Sequence, residues 1–173
     1  LPVIMLVRFN SDKEFFEKIS LWVQDIPAFP FSEAIEICCK LKSDIVSKDE
    51  FDNGIRGILN FGHTIGHALE LKFGFNTLRH GEAVAFGMLC AGYVSFKLKK
   101  LDEKQFNILE KLIRTLPLPK LKKINSEELV ALIKRDKKFV KGKLKFITLN
   151  KIGMATVNQD VDNLILKESF KLL

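Results

Sequence analysis

The sequence predicts a mainly α-helical, multi-helix domain with one short β-hairpin near its C-terminus. Apolar residues recur at three- and four-residue spacing through most of the 173 residues. Pro, Gly and capping side chains divide these runs into lengths ordinary for globular helices. The stretch with strand character, Lys143 to Thr148 and Met154 to Val157, is joined around Lys151-Ile152-Gly153. A hydrophobic content of 47% suffices for one sizeable core, so residues 1–173 are expected to form a single domain.

Element by element, Ser11 and Asp12 read as caps opening an amphipathic run through Phe15, Phe16, Ile19, Trp22 and Val23, which stops before Pro27 and Pro30. Ser32 is the expected cap of the next helix, with Ala34, Ile35, Cys38, Cys39 and Ile45 on its apolar side. A turn at Asp52-Asn53-Gly54 leads into a helix expected from about Ile55 to Lys72. The loop Gly74 to Arg79 joins it to a helix from Gly81 to about Leu98, rich in small residues. Its Ala83, Ala85, Gly87, Ala91 and Gly92 allow close backbone packing and mark it as central. Helices near Asp102 to Leu116 and Ser126 to Asp136 flank the Pro117-Leu118-Pro119 break, and a last helix runs from about Val161 to Leu172. There is no internal repeat, low-complexity tract or Gly-x-Gly-x-x-Gly after a strand, so this stretch encodes no dinucleotide fingerprint.

Composition narrows the function classes. Apolar stretches fall short of the roughly 20 residues of a membrane helix, so no membrane partner is expected. Three cysteines, two of them adjacent, form neither a metal pair nor an even disulfide framework, and read as cytoplasmic thiols. The N-terminus is apolar without a basic lead or initiator Met, and reads as the edge of a fragment. A net charge of +7 suits nucleic acid, an acidic surface or a small phosphorylated substrate equally. No recognition-helix pattern or aromatic–basic interleaving is present, so nucleic acid is not an expected partner. Most of the lysines belong on solvated helix faces.

The chemistry concentrates in one segment. Arg56, Asn60, His63 and His67 stand at i, i+4, i+7 and i+11, which on one continuous helix aligns them on a single face. Ile58, Leu59, Phe61, Ile65, Ala68 and Leu69 around them are apolar. Burying that polar stripe without ligand, metal or partner is costly, so it is expected to line a pocket. All three histidines fall within 18 residues, and an antiparallel neighbour would bring His80 to the stripe. Imidazole is a common ligand of zinc, and a catalytic zinc takes three protein ligands. His63 with His80 is one pairing; His63 and His67 with Glu70 is another. Glu82 is either a further carboxylate or an acid stabilising the first turn of its helix.

The strings Arg56-Gly-Ile-Leu-Asn60-Phe-Gly-His63-Thr-Ile-Gly-His67-Ala-Leu-Glu70 and His80-Gly-Glu-Ala-Val-Ala-Phe-Gly-Met88 closely resemble the signature of the 3-dehydroquinate synthase family. Lys42-Ser-Asp-Ile-Val46 with Asp49-Glu50, then Asp136-Lys137-Lys138 and Phe146-Ile-Thr-Leu149, resemble its other landmarks in order. The resemblance implies the helical metal- and substrate-binding half of a two-domain, homodimeric, cytoplasmic enzyme of the shikimate pathway, with NAD held mainly by the other domain. It implies conversion of 3-deoxy-D-arabino-heptulosonate 7-phosphate to 3-dehydroquinate and phosphate, with NAD transiently oxidising a ring hydroxyl. His63 and His80 would hold zinc, or another divalent ion such as cobalt. His67 would sit near the phosphate and assist elimination; His67, Lys42 and Arg56 would be the catalytic residues. Lys42, Arg56, Asn60, His67 and Lys137 would bind the substrate, a small phosphorylated sugar acid. Lys42 and Arg56 favour a carboxylated substrate over that of a 2-deoxy-scyllo-inosose synthase relative. A basic helical binding module without catalysis is the competing class.

The sequence also departs from the family pattern. A Glu of an Ala-Glu-x-x-Lys segment supplies the family's third zinc ligand, yet Leu1 and Ile4 stand where its Glu and Lys belong. Asp52 stands where Glu is more frequent. The 173 residues alone, with two of three protein ligands, are therefore expected to bind zinc weakly or not at all and to be inactive. Calorimetric titration checks this; tight zinc binding, or turnover, would contradict it.

Overall fold

Helices α1 (Lys13–Trp22) and α2 (Phe31–Lys48) open the described part of the chain. The structure, a computed structural model, describes residues 13–52, 54–74, 76–135, 139–140, 143–144, 146–158 and 161–173. Phe15, Ile19 and Val23 of the first helical run close on Cys38 of α2, with Trp22 edge-on to both Phe15 and Phe29. This small aromatic cluster is stitched to the rest by Leu112 and Leu116, which pack on both cores. Ser11 and Asp12, the expected caps, lie outside the described residues. Ser32 is not the cap of α2: the helix starts at Phe31, and Pro30 holds the N-cap position without a side-chain bond. Pro donates no amide and its fixed φ suits a helix entrance, so the chain turns helical before the serine.

The segment expected as one helix from Ile55 to Lys72 is two. Ile55–Asn60 forms a 3-10 helix, the chain reverses at Phe61 and Gly62, and α3 runs only over His63–Phe73. The break is imposed from outside. Gly62 has φ +81°, and a Cβ there would lie 2.5 Å from Met88 Cγ and 2.7 Å from the Met88 backbone nitrogen. Only glycine takes that conformation without penalty while leaving room for the neighbouring helix.

That neighbour is α4 (His80–Lys97), the centre of the fold, in which every residue from Ala83 to Gly92 is buried. Helices α3 and α4 run antiparallel, with Gly62 opposite Gly87 and Gly66 opposite Ala83 and Val84. Helices α5 (Glu103–Thr115), capped by Asp102, and α6 (Ser126–Arg135) follow. They bury one stripe each: Phe106, Leu109 and Ile113, then Leu129, Val130 and Ile133. α4 packs against α3, α5, the hairpin and α7 (Asn163–Ser169), after which Phe170–Leu172 tightens into a 3-10 turn.

The hairpin stands where the alternating pattern put it. Strands β1 (Phe139–Val140) and β2 (Lys143–Leu144) form a small antiparallel ladder that the sequence did not announce, and Lys143 belongs to it. The hairpin proper is β3 (Phe146–Lys151) with β4 (Met154–Asn158), antiparallel, turning through Gly153 at φ +86°. Phe146 to Leu149 are all buried. The hairpin is fixed by two side chains from elsewhere: Ser95 Oγ accepts from Leu149 N at 2.9 Å while donating to Ala91 O, and Gln105 Oε1 accepts from Ile152 N at 2.7 Å. Both strands pack against the 3-10 helix at Ile55–Asn60, and so does α2. No described helix is long and apolar enough to cross a membrane.

A glycine pair tests this account. Gly87→Ala would drive its Cβ into the Gly62 carbonyl oxygen, whereas a Cβ on Gly81 meets nothing within 4 Å. Urea unfolding is expected to show Gly87→Ala destabilised by on the order of 3 kcal/mol or more, because the obstacle is backbone. Gly81→Ala is expected to be neutral or stabilising by up to about 1 kcal/mol.

Candidate metal and substrate site

All three histidines meet at one place. His63 is the first residue of α3, His67 lies one turn on, and His80 is the first residue of α4. The ring centroids are 5.5 Å apart for His63 and His67, 5.4 Å for His63 and His80, and 6.1 Å for His67 and His80. The antiparallel crossing of two helices at glycine distance makes this possible, since imidazoles from both converge over their shared groove.

Glu70 completes the cluster from below. It continues the His63–His67 face of α3 and is 3% exposed. Its Oε1 accepts from His80 Nδ1 at 3.0 Å. Among the described residues, the potential ligand atoms of His67, Glu70 and His80 lie within 4.8 Å of one another. His63 Nδ1 faces the Phe61 carbonyl oxygen at 3.4 Å, as a ring whose Nδ1 carries the proton would. A neutral imidazole that donates through Nδ1 has its lone pair on Nε2. Three imidazoles and a carboxylate are a donor set that suits zinc or cobalt.

Arg56 and Asn60 sit on the 3-10 helix, not on the histidine-bearing helix, so the four-residue stripe is not one helical face. The turn at Phe61 and Gly62 separates the pairs. Arg56 is nevertheless held firmly. Asp49 Oδ2 accepts from both Gly54 N and Arg56 N at 2.9 Å, and Arg56 Nη1 donates to Glu50 O at 2.8 Å. Asn60 is half-buried and donates to Gly57 O at 3.3 Å. Lys42 is exposed on α2, the helix that packs on this turn, and has no ion-pair partner among the described residues. Lys137 lies outside the described residues. Glu82 is occupied elsewhere: its Oε2 accepts from Arg79 N at 2.9 Å and caps α4, so the helix-stabilising reading holds. The sequence marks Asp49 only as part of a family landmark; its clasp on two backbone amides carries no spacing signal.

Comparison with known proteins places the fold and the motifs together. The family model for the 3-dehydroquinate synthase C-terminal domain matches residues 4–139. The chain belongs to this family. A 3-dehydroquinate synthase from Colwellia psychrerythraea is 40% identical over 167 residues, covering 91% of this chain and 46% of that protein. One from Endomicrobium trichonymphae is 36% identical, covering 96% of this chain and 47% of that protein. The chain thus spans about half the length of the curated relatives it matches. Among solved structures, 2-epi-5-epi-valiolone synthase from Streptomyces hygroscopicus subsp. jinggangensis, with NAD+ and Zn2+ bound, superposes with TM-score 0.83 at 19% identity over 98% of this chain and 48% of that one. A 2-deoxy-scyllo-inosose synthase complexed with carbaglucose-6-phosphate, NAD+ and Co2+ gives TM-score 0.77 at 24% identity, over 96% and 48%. At these identities the likeness establishes the family's mainly helical fold with its short hairpin.

The Asp49 clasp yields a prediction. Asp49→Ala strips two backbone amides of their acceptor and is expected to cost about 1–3 kcal/mol. Hydrogen exchange at Gly54 and Arg56 should accelerate while the amides of α4 stay protected, with Asp49→Asn intermediate.

Proposed function

We propose that this chain supplies the metal- and substrate-holding half of a 3-dehydroquinate synthase, a phosphate-eliminating carbon–oxygen lyase of the shikimate pathway. The observation that carries the reading is the meeting of His63, His67 and His80 over the buried Glu70, beside a turn that fixes Arg56. The substrate is 3-deoxy-D-arabino-heptulosonate 7-phosphate, and the intact protein works as a cytoplasmic homodimer. Residues 1–173 act as one domain of it.

The donor set fits a divalent ion. A carboxylate as deeply buried as Glu70 needs a cation or several donors nearby, and soft-to-borderline imidazole nitrogens select zinc or cobalt over magnesium. His63 and His80 would hold it. When bound, the ion would supply Lewis-acid polarisation of a substrate hydroxyl, and NAD, held mainly outside this chain, would supply hydride acceptance and return. The chain's own residues do the rest. Arg56 and Lys42 bind anionic oxygens of the phosphate and carboxylate, with Lys137 adding a further cation, because two anionic groups require several converging donors. Asn60 orients a ring hydroxyl. His67 stays near the departing phosphate and holds or moves a proton there, a role an imidazole is suited to. By themselves the 173 residues are inactive.

The reading is tested on the full-length enzyme by following phosphate release with the carboxylated substrate and with a hexose phosphate that lacks the carboxylate. We expect turnover of the first only. Arg56→Ala should lower kcat/KM by about 10- to 100-fold through lost charge-assisted bonds. His67→Ala should act mainly on kcat, by roughly 100-fold or more. Preference for the hexose phosphate would favour a 2-deoxy-scyllo-inosose synthase-like cyclase and overturn the assignment.

A further inference from the structure

Glu70 and His80 differ sharply in exposure: the carboxylate side chain is 4% exposed and the imidazole 59%. An exposed ring at the first residue of a helix has little packing to fix its χ2 angle or its tautomer. Its neighbours in the chain do not do so either. Arg79 engages Glu82 through its backbone amide, and Gly81 has open space around it. What orients His80 is the 3.0 Å bond from Nδ1 to Glu70 Oε1, made by a carboxylate that is itself immobile in the helix interface. An ionised carboxylate only accepts, so the proton of a neutral His80 must sit on Nδ1. The lone pair is thereby placed on Nε2.

We propose that Glu70 is a positioning residue: it does not ligate the metal but fixes the orientation and tautomer of His80 so that Nε2 is presented to it. The inference rests on the metal reading above and deepens it. Carboxylates that hold the far nitrogen of a ligating imidazole raise its basicity and stop it from swinging away. The burial of Glu70 supports this role over direct ligation. Its oxygen is engaged at the Nδ1 side of the ring, which leaves Nε2 as the nitrogen open to an ion.

The test uses the full chain with histidine nitrogens labelled, at a pH where the imidazoles are neutral. In the metal-free protein, nitrogen chemical shifts should show His80 as the Nδ1-protonated tautomer. Glu70→Ala should give the mixture of tautomers typical of free imidazole; Glu70→Gln, which preserves volume and one acceptor, should lie between, and keeps the test valid if the alanine variant does not fold. Titrated with Co2+, both variants should bind about 10- to 100-fold more weakly, with the visible d–d spectrum of the Glu70→Gln complex unchanged because the ligand set is the same. An Nε2-protonated His80 in the wild-type chain would overturn the proposal. So would unaltered Co2+ affinity in both variants, or a changed d–d spectrum in Glu70→Gln, which would make Glu70 a ligand. If the wild-type chain binds no Co2+ at millimolar concentration, as the lack of a third ligand allows, the tautomer of His80 alone decides the role of Glu70.

Discussion

The close crossing of α3 and α4 is the constraint from which the rest of the structure follows. Gly62, Gly66 and Gly87 bring two backbones into contact, and the Gly62 carbonyl fills the space that a side chain on Gly87 would need. Three consequences come from this one approach. The polypeptide must kink before His63, because Gly62 adopts φ +81°. His80 arrives level with His67 and Glu70. The histidines, on the open side of the crossing, face one another instead of solvent alone. A wider separation by one methyl layer would leave the same residues on two unrelated surfaces.

The second tier of organisation works through hydrogen bonds more than through packing. Ser95, fully buried in α4, uses its hydroxyl both to donate within the helix and to accept from the hairpin. Gln105 holds the hairpin turn from α5 while its amide nitrogen bonds Asp102, the cap of the same helix. The hairpin in turn presses on the 3-10 helix that bears Arg56 and Asn60, which Asp49 clasps from the other side. The cation of Arg56 is therefore positioned by elements nearly a hundred residues apart in sequence. Distortion of the hairpin would be felt at the guanidinium before it was felt at the imidazoles.

Much of this was legible in the residues, for identifiable reasons. Helix existence followed from periodicity, and the centrality of α4 from its small residues; both are local composition effects that tertiary structure reinforces. The convergence of His63, His67 and His80 followed from spacing and a loop of the right length. The helix break at Phe61 and Gly62 was not legible, because its cause is the Met88 side chain and backbone on another helix, and a Gly inside an apolar periodic run looks permissive, not obligatory. Expecting a single helical stripe from Arg56 to His67 therefore used the wrong scaffold: the histidines converge from α3 and α4, whereas Arg56 and Asn60 sit on the separate 3-10 helix. The Glu70–His80 pair shows the same limit: Glu70 could be placed on the histidine face from spacing, but its bond to a residue of the next helix depends on the depth of the crossing. The short β1–β2 ladder, two residues to a strand, is too brief for any alternating pattern to register.

The geometry also carries a lesson about what such a cluster needs around it. His63 and His67 are half-buried and His80 is mostly exposed, so the imidazoles form the floor of a site with an open side. Electrostatic interactions with a phosphorylated, carboxylated substrate are weakened wherever bulk water reaches them, and proton and hydride transfers need water excluded. The floor is rigid: it rests on α4, the best-packed element, and on a buried carboxylate. Of the two cations, Arg56 is held by its clasped turn, while Lys42 lies on an exposed helix face. On the proposed reading, such a floor would hold the metal-binding groups still while a multiply charged substrate enters and leaves. Specificity, on the same reading, would rest with Arg56 and Lys42, since a ring hydroxyl is common to the two substrate classes and a carboxylate is not.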